Sequence, residues 1–518
     1  MKVNYPETIL CKSDGSSNSE QYLARLCNDT FLSLWSFPNL FRDQGRTNSK
    51  RREPKGDGKE VCDLLVVFDE YLIIFSDKYC AFRNSGDLQV DWSRWYKKAV
   101  RDAAKQLWGA ERWIFENPGN LYLDKECHRP FPLSIPCRES AIVHRIVVAH
   151  GASRECIEKL GGSGSLMINP HIIGDMHICT KDRQCLPFSI GQVNPQEGYV
   201  HVFDDTTLEI VMRALDTISD FTGYLTKKEK FIASGKLAMA AGEDDLLAYY
   251  LRGVDKNGEH TFSNDDDVDW LSIDEGLWNS FLKSPQRMAQ IKANEISYSW
   301  DKLVEKFFHH ITTGTSYWMT HPSIKEQERI FRFLAREDRT RRRLLAESIH
   351  ELIAKTPENF RATRLILPSR PGDPYYLFLL LPKPKKGTYE EYRHARVELL
   401  QRYLKVTKLQ YQNAKDIIGL ATETGVSAER SEDFIYYDGR NWSEKEKKEA
   451  EEIRDELVQL GMLGKRTMFR KKAHEYPVKG SPPVLMGMKG NERNKPCPCG
   501  SGRKFKKCCG AEIFNVRH

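Results

Sequence analysis

The stretch "KEVCDLLVVFDEYLIIFSDKYC", residues 59–80, holds two runs of β-forming residues around a short polar break. "DLLVVF" opens on Asp63, "DEY" supplies the break, and "LIIFSDK" ends on Lys78, fifteen residues after Asp63. Both runs are mostly apolar at odd and even positions alike. That pattern predicts central strands of a mixed sheet with helices packed on it rather than a solvated hairpin. Because side chains alternate along a strand, Ser76 and Lys78 point to one face and Asp77 to the other.

The flanks supply the helices. "SEQYLARLCNDTFLSLW", Ser19 to Trp35, places Glu20, Leu23, Cys27, Phe31 and Leu34 on one face at steps of three and four. Gln44 to Glu60 is rich in charge, Gly and turn formers and reads as a loop. After the strands, "SRWYKKAVRDAAKQLWGAERWIFEN", Ser93 to Asn117, predicts a long helix whose inner face runs through Ala99, Ala103, Gln106, Ala110 and Trp113.

Hydrolysis of a phosphodiester with Mg²⁺ requires oxygen ligands for a hard cation and a nearby positive charge. Asp63, a carboxylate of the first helix and Lys78 offer such a set. The arrangement resembles the PD-(D/E)xK nuclease superfamily over about residues 15–120. The resemblance implies a restriction-endonuclease-like mixed sheet, with Glu20, Asp63, Lys78 and Gln106 as site residues and Glu20 and Asp63 as Mg²⁺ ligands. One position departs from the pattern: Ser76 stands two residues before the lysine where the family has Asp or Glu, and the nearest carboxylate is Asp77. The sequence leaves open a bulge turning Asp77 inward, a metal-bound water held by Ser76, and an inactive centre. The bland alternatives are an edge-strand charge at Asp63, a helix-dipole role for Glu20 and a satisfied amide at Gln106.

Further on, "SAIVHRIVVAH" and "GYVHVFDD" read as strands, and "TTLEIVMRALDTISDF" as a helix opened by Thr206 and Glu209 in capping-box spacing. "NDDDVDW" from Asn264 is a surface break. A third unit reads helix "RRRLLAESIHELIAK", strand "TRLILP", turn, strand "YYLFLLLP", helix "YEEYRHARVELLQRYLKV". Ser443 and Glu446 cap a charged helix with i,i+4 ion pairs. His171, His177, Cys179 and Cys185 fall within fifteen residues but match no zinc spacing, and read as buried cysteine with strand histidine. "GGSGS" from Gly161 follows a helix instead of opening one and reads as a turn.

The C-terminus carries its own chemistry. "CPCGSGRKFKKCCG" sets Cys497 and Cys499 against Cys508 and Cys509 across a basic turn, a spacing suited to one closed tetrahedral Zn²⁺. It closely resembles the SEC-C motif, which implies a structural zinc and docking onto a partner protein or ribosome. Residues 461–518 hold fourteen Lys/Arg against three Glu, net +11, which leaves −4 for the rest of a chain of net +7. Only the tail is basic, which suits phosphates or an acidic protein surface.

Length then bounds the organisation. At 518 residues several compact units are expected in an α/β, α+β multi-domain chain. They run as a nuclease-like domain at 15–130, an α/β accessory region at 131–255, an α+β accessory domain at 285–430, a charged helical region at 431–475, a tether at 476–492 and the SEC-C motif at 493–512. Thirteen cysteines are too dilute for a disulfide framework. No apolar run reaches the roughly 20 residues that span a bilayer, and no signal sequence opens the chain, so a cytoplasmic address without membrane insertion is expected. Two functions follow. One is a Mg²⁺-dependent nuclease acting on nucleic acid, DNA ahead of RNA, in bacterial defence or DNA processing. The other is a non-catalytic adaptor on a degenerate nuclease fold whose zinc tail recruits a protein or ribosome.

Overall fold

The computed structural model describes residues 11–44, 58–255, 258–262, 270–312, 324–425, 430–463 and 474–477, with the single positions 494 and 504. The break expected at Asn264, nearly all of the tether and the four tail cysteines lie outside the described residues.

The first unit is built around the opening stretch. Helix α1 (Asn18–Phe31) leads to strands β1 (Ser36–Asp43), β2 (Gly58–Phe68) and β3 (Tyr71–Tyr79), then α2 (Leu88–Tyr96), a π-helical turn at Lys97–Arg101 and α3 (Asp102–Glu116). The single helix expected over Ser93–Asn117 is thus one continuous rod that starts earlier, at Leu88, under an Asp87 cap, and is interrupted by the π turn. Strand β4 (Ile142–His150), α4 (Ser153–Leu160), β5 (Met167–Ile173), β6 (Ser189–Gln192) and β7 (Val200–Asp204) follow.

Five of these strands form one mixed sheet in the order β1-β2-β3-β4-β7. β1, β2 and β3 are antiparallel neighbours, while β3–β4 and β4–β7 are parallel. The sheet therefore runs across residue 130, and the accessory region contributes its far edge. Its interior is dry: Leu65, Val66, Ile73, Ile74, Phe75, Ile146, Val147 and Val148 are fully buried, as expected for strands covered on both faces. Phe31 of α1 packs near Phe75, whereas Arg145, level with Ile74, meets Glu111 of α3. Because neighbours in a strand face opposite ways, α1 covers the Phe75 face and α3 the Ile74 face.

Next come α5 (Thr207–Ala214), α6 (Ile218–Ala233), β8 (Leu237–Ala240), α7 (Glu243–Arg252) and β9 (Leu271–Ile273). The single helix expected from Thr206 is two. Thr206 makes no side-chain cap, and Thr217 caps the second helix by accepting from the Asp220 amide. β6, β5, β8 and β9 form a second sheet. Helices α8 (Leu277–Leu282), α9 (Pro285–Asn294), α10 (Tyr298–Thr312), α11 (Ile324–Ala335) and α12 (Arg339–Lys355) lead into β10 (Ala362–Ile366), β11 (Tyr375–Leu381), α13 (Tyr389–Gln410), β12 (Asp416–Glu423), β13 (Glu432–Asp438) and α14 (Glu444–Gln459). β10 to β13 make a third sheet, in sequence order. Ser443 and Glu446 form the predicted capping box. The molecule is an α/β multi-domain protein with several mixed sheets.

The units share packing. Trp35, fully buried, meets Phe308 of α10 and donates its indole N–H to Glu328 of α11 at 2.6 Å. His177 is buried, and Cys179 and Cys185 form a disulfide in place of the two buried thiols expected. Gly161, Gly162 and Gly164 take positive φ in the turn expected after α4.

Candidate functional site

Asp63 stands in the middle of β2, one step before the Leu64–Phe75 pair. Its side chain is only 12% exposed, and its Oδ2 collects three neighbours. The Ser76 hydroxyl donates at 3.2 Å, the Asp77 backbone N–H at 2.5 Å, and the Lys78 ammonium lies 3.8 Å away. Residues of β3 thus close on Asp63 with a hydroxyl, an amide and a cation. Ser76, standing where the resemblance asks for an acid, is a direct partner of Asp63.

A second group of carboxylates comes from the opposite direction. Asn39 of β1 has a positive φ of 46° beside an irregular register between Leu40 and Phe41. Its Oδ1 accepts from the Ser13 hydroxyl, which turns Nδ2 toward two acids: Glu20 Oε2 at 3.0 Å and Glu60 Oε1 at 2.7 Å. Glu20 also serves α1, bonding the Ser16 amide and the Ser17 hydroxyl while Ser17 caps its own N–H. The bland helix-start role and a place near Asp63 therefore coexist in one side chain.

Electrostatics join the two groups. Burial pushes the Asp63 carboxyl up to about 6, Lys78 and the Asp77 N–H pull against that, and the charges of Glu60 and Glu20 push further. Glu60 and Glu20 act on Asp63 through their charge, without the three carboxylates gathering into a ready-made ligand cluster.

Two expected residues lie elsewhere. The Asp77 carboxylate points to the other face, where its Oδ1 bonds His150 Nε2 at 2.7 Å, and His150 Nδ1 bonds Asp205 at 2.7 Å. No bulge brings it to Asp63; β3 keeps its regular alternation and its unbroken register with β4 through Asp77 and Lys78. Burial lowers the His150 pKa, but the hydrogen bonds its ring donates to Asp205 and Asp77 outweigh it and hold the imidazolium up to about 9. Gln106 is exposed on α3, because the buried stripe steps from Ala103 to Leu107 by four residues instead of to Gln106 by three.

Glu60, Asn39 and His150 were not singled out from sequence. Glu60 was absorbed into the polar loop, although its neighbour Val61 marks the first β-branched position of β2. A cavity of about 780 Å³ opens at the other end of the hairpin, beside Asp69, Glu70 and α12. It does not include Asp63 or Lys78.

Comparison with known proteins finds the SEC-C motif at residues 493–511. The protein translocase subunit SecA of Desulfovibrio desulfuricans is 52% identical over 40 residues, 8% of this chain and 4% of that protein. SecA of Trichlorobacter lovleyi is 40% identical over 73 residues, 13% and 7% of the two chains, and the uncharacterized protein YccF of Bacillus subtilis is 68% identical over 24 residues, 5% and 7%. The chain therefore spans less than a tenth of the length of these relatives. No solved structure matches. No helix among the described residues is long and apolar enough to cross a membrane.

Proposed function

We propose that the chain is a divalent-cation-dependent nuclease, acting on DNA in the cytoplasm, with its centre at Glu20, Glu60, Asp63 and Lys78. The carrying observation is Asp63, a buried carboxylate 3.8 Å from the Lys78 ammonium that also feels the charges of Glu60 and Glu20, which Asn39 bridges. The mixed sheet flanked by helices, with these residues on α1, β2 and β3, supports a restriction-endonuclease-like core. Glu60 takes the place of the acid that Ser76 lacks.

The donor chemistry suits a hard cation, which would have to draw the three carboxylates together. All are carboxylate oxygens; burial is the main cause that raises the Asp63 pKa and the Glu60 and Glu20 charges add to it, and a divalent ion would favour the ionised form. Glu20, Glu60 and Asp63 would hold Mg²⁺, which supplies Lewis acidity toward a phosphoryl oxygen and a bound water of lowered pKa. Lys78 offsets the charge that develops on the scissile phosphate and orients the attacking water. Asn39 holds two acids in register, while Ser76 and the Asp77 amide fix Asp63. The SEC-C tail, by its motif, binds a structural Zn²⁺ and docks a partner protein.

The test is cleavage of plasmid, linear and single-stranded DNA by the full-length protein with Mg²⁺ or Mn²⁺. Cleavage lost in Asp63→Ala and Lys78→Ala supports the proposal. The adaptor reading rests on Ser76, and an intact, folded chain that cleaves none of these substrates with either cation would establish it over the nuclease.

A further inference from the structure

Two histidines and a glutamate meet inside the first unit, away from the site above. His144 is the third residue of β4 and His201 the second of β7, and both are fully buried. The two strands are parallel neighbours, with Ile146 level with His201. Glu229, on α6, reaches between them. Its Oε1 lies 2.9 Å from His144 Nδ1 and 2.8 Å from His201 Nε2. The three ligand atoms all fall within 4.8 Å of one another.

We propose that His144, His201 and Glu229 form a binding site for a first-row divalent cation, Zn²⁺ foremost, that braces β4 and β7 against α6. Two imidazole nitrogens and one carboxylate oxygen are the borderline donor set that Zn²⁺ and its neighbours prefer, and that Mg²⁺ and Ca²⁺ do not. Ligands about 2.0–2.1 Å from a tetrahedral zinc stand roughly 3.3 Å apart. The two observed edges need to open by only about half an ångström, within small side-chain rotations. His144 Nε2 meets the Thr226 hydroxyl at 3.4 Å, the kind of outer partner that fixes a ligand's tautomer. Tyr71 stacks on the His144 ring at 15° and Tyr199 stands edge-on to His201, so both rings are held in place.

The access side is Glu229, whose side chain is 31% exposed while both histidines are sealed. An ion reaches the nitrogens past that carboxylate, and the fourth ligand position, filled by water, faces the same way. The alternative is a hydrogen-bonded trio in which two neutral imidazoles donate to one carboxylate oxygen. Either arrangement leaves His201 Nδ1 buried without a hydrogen-bond partner. The two accounts differ in metal content and are separated by experiment. The location also separates this site from the nuclease centre: His144 is level with Ile73 of β3 and Lys78 is five residues further along that strand, roughly 16 Å at about 3.3 Å per residue.

The tail zinc must be removed from the count. In the full-length chain carrying Ser at Cys497, Cys499, Cys508 and Cys509, dialysed with Zn²⁺ and then against metal-free buffer, we expect about one zinc per chain. X-ray absorption should show nitrogen and oxygen neighbours only. His201→Gln in that background should lose the ion. If that variant fails to fold, Glu229→Gln, at the exposed edge, should lower zinc affinity at least tenfold with its secondary structure intact. Absence of retained zinc in that four-serine chain, with a thermal midpoint that Zn²⁺ does not move, would overturn the proposal, as would zinc retained undiminished in Glu229→Gln.

Discussion

Asp63→Asn should make the cation-free protein more stable at neutral pH. The Asp63 carboxyl rises from 3.8 to about 6 because burial, reinforced by Glu60 and Glu20, outweighs Lys78 and the Asp77 amide. A shift of about two units is worth roughly 3 kcal/mol at about 1.36 kcal/mol per unit. Its sign follows from proton linkage. Between the unfolded value of 3.8 and about 6 the native state holds the extra proton, so this contribution is fully present below about pH 4 and is lost as pH rises to about 6. Above that, the ionised carboxylate is a standing cost. Asparagine keeps the shape and the acceptor oxygen for the Asp77 N–H, and removes the charge.

The measurement is the thermal midpoint of wild type and Asp63→Asn in EDTA, from about pH 4.5 to about pH 8. The difference should grow in favour of the variant as pH rises, be about half complete near pH 5, and level off above about pH 6. In a multi-domain chain the first unit is best followed through its own transition, because one global free energy is not defined. Added Mg²⁺ should then stabilise wild type, since binding to the native state raises its stability by mass action, and leave Asp63→Asn unmoved. A pH-independent difference would show that Asp63 titrates normally and that the charge cluster is not felt. A Mg²⁺ response preserved in the variant would remove Asp63 from any cation site.

Three other outcomes are expected. His150→Gln leaves Asp77, 1% exposed, without its cation, and should cost roughly 3–5 kcal/mol; wild type should lose stability as pH rises from about 6.5 through about 9, where the raised imidazolium gives up its proton, and the variant should not, by thermal melting across that range. Lys228→Met strands Glu243, which also accepts from the Tyr224 hydroxyl, and should cost a similar roughly 3–5 kcal/mol by denaturant unfolding, with much of it recovered by adding Glu243→Gln. Cys497→Ser should lower the zinc content by about one ion per chain in metal analysis while the main thermal transition and any plasmid cleavage stay unchanged, because the motif at 493–511 would carry its own ligand set.

The parts legible in sequence are those fixed by local chemistry. β2 and β3 were readable because both faces are apolar, and α14 because Ser443 and Glu446 close a box that needs only four residues. What escaped is long-range or phase-dependent. That β4 and β7 complete the first sheet depends on pairing across more than sixty residues for β3 and β4 alone, which no local pattern encodes. Gln106 was misplaced by one residue of helical phase, and the split at Thr217 by a capping pair at Thr206 that the chain does not use. Glu60 was hidden by its company: "GDGKE" has the composition of a loop, yet Gly58 already pairs with Asp43. The C-terminal SEC-C motif was readable because it is a set of named residues at fixed spacing.

Ser76 and Asp77 look from sequence like a damaged active-site element, and their surroundings give each a separate task. Alternation sends Ser76 and Lys78 to the Asp63 face and Asp77 to the opposite one. There the Asp77 carboxylate is gripped by His150, which is itself held by Asp205. Gly151, with φ of 98° and the position of a β-carbon only 2.3 Å from the Cys80 carbonyl, lets β4 end close against β3 at that point and gives its N–H to Asp205. The grip therefore anchors the backbone between Ser76 and Lys78 from behind, and the same Asp77 residue offers its N–H to Asp63 in front. An acid at position 76 would set another negative charge against the raised Asp63, with Glu60 already close by. A hydroxyl there donates to Asp63 instead, and the second carboxylate arrives through Asn39 from β2, where its charge is spread over a longer distance. Restoring the family pattern with Ser76→Glu should therefore raise the Asp63 pKa further and weaken the fold near neutral pH, unless Mg²⁺ is present to offset the added charge.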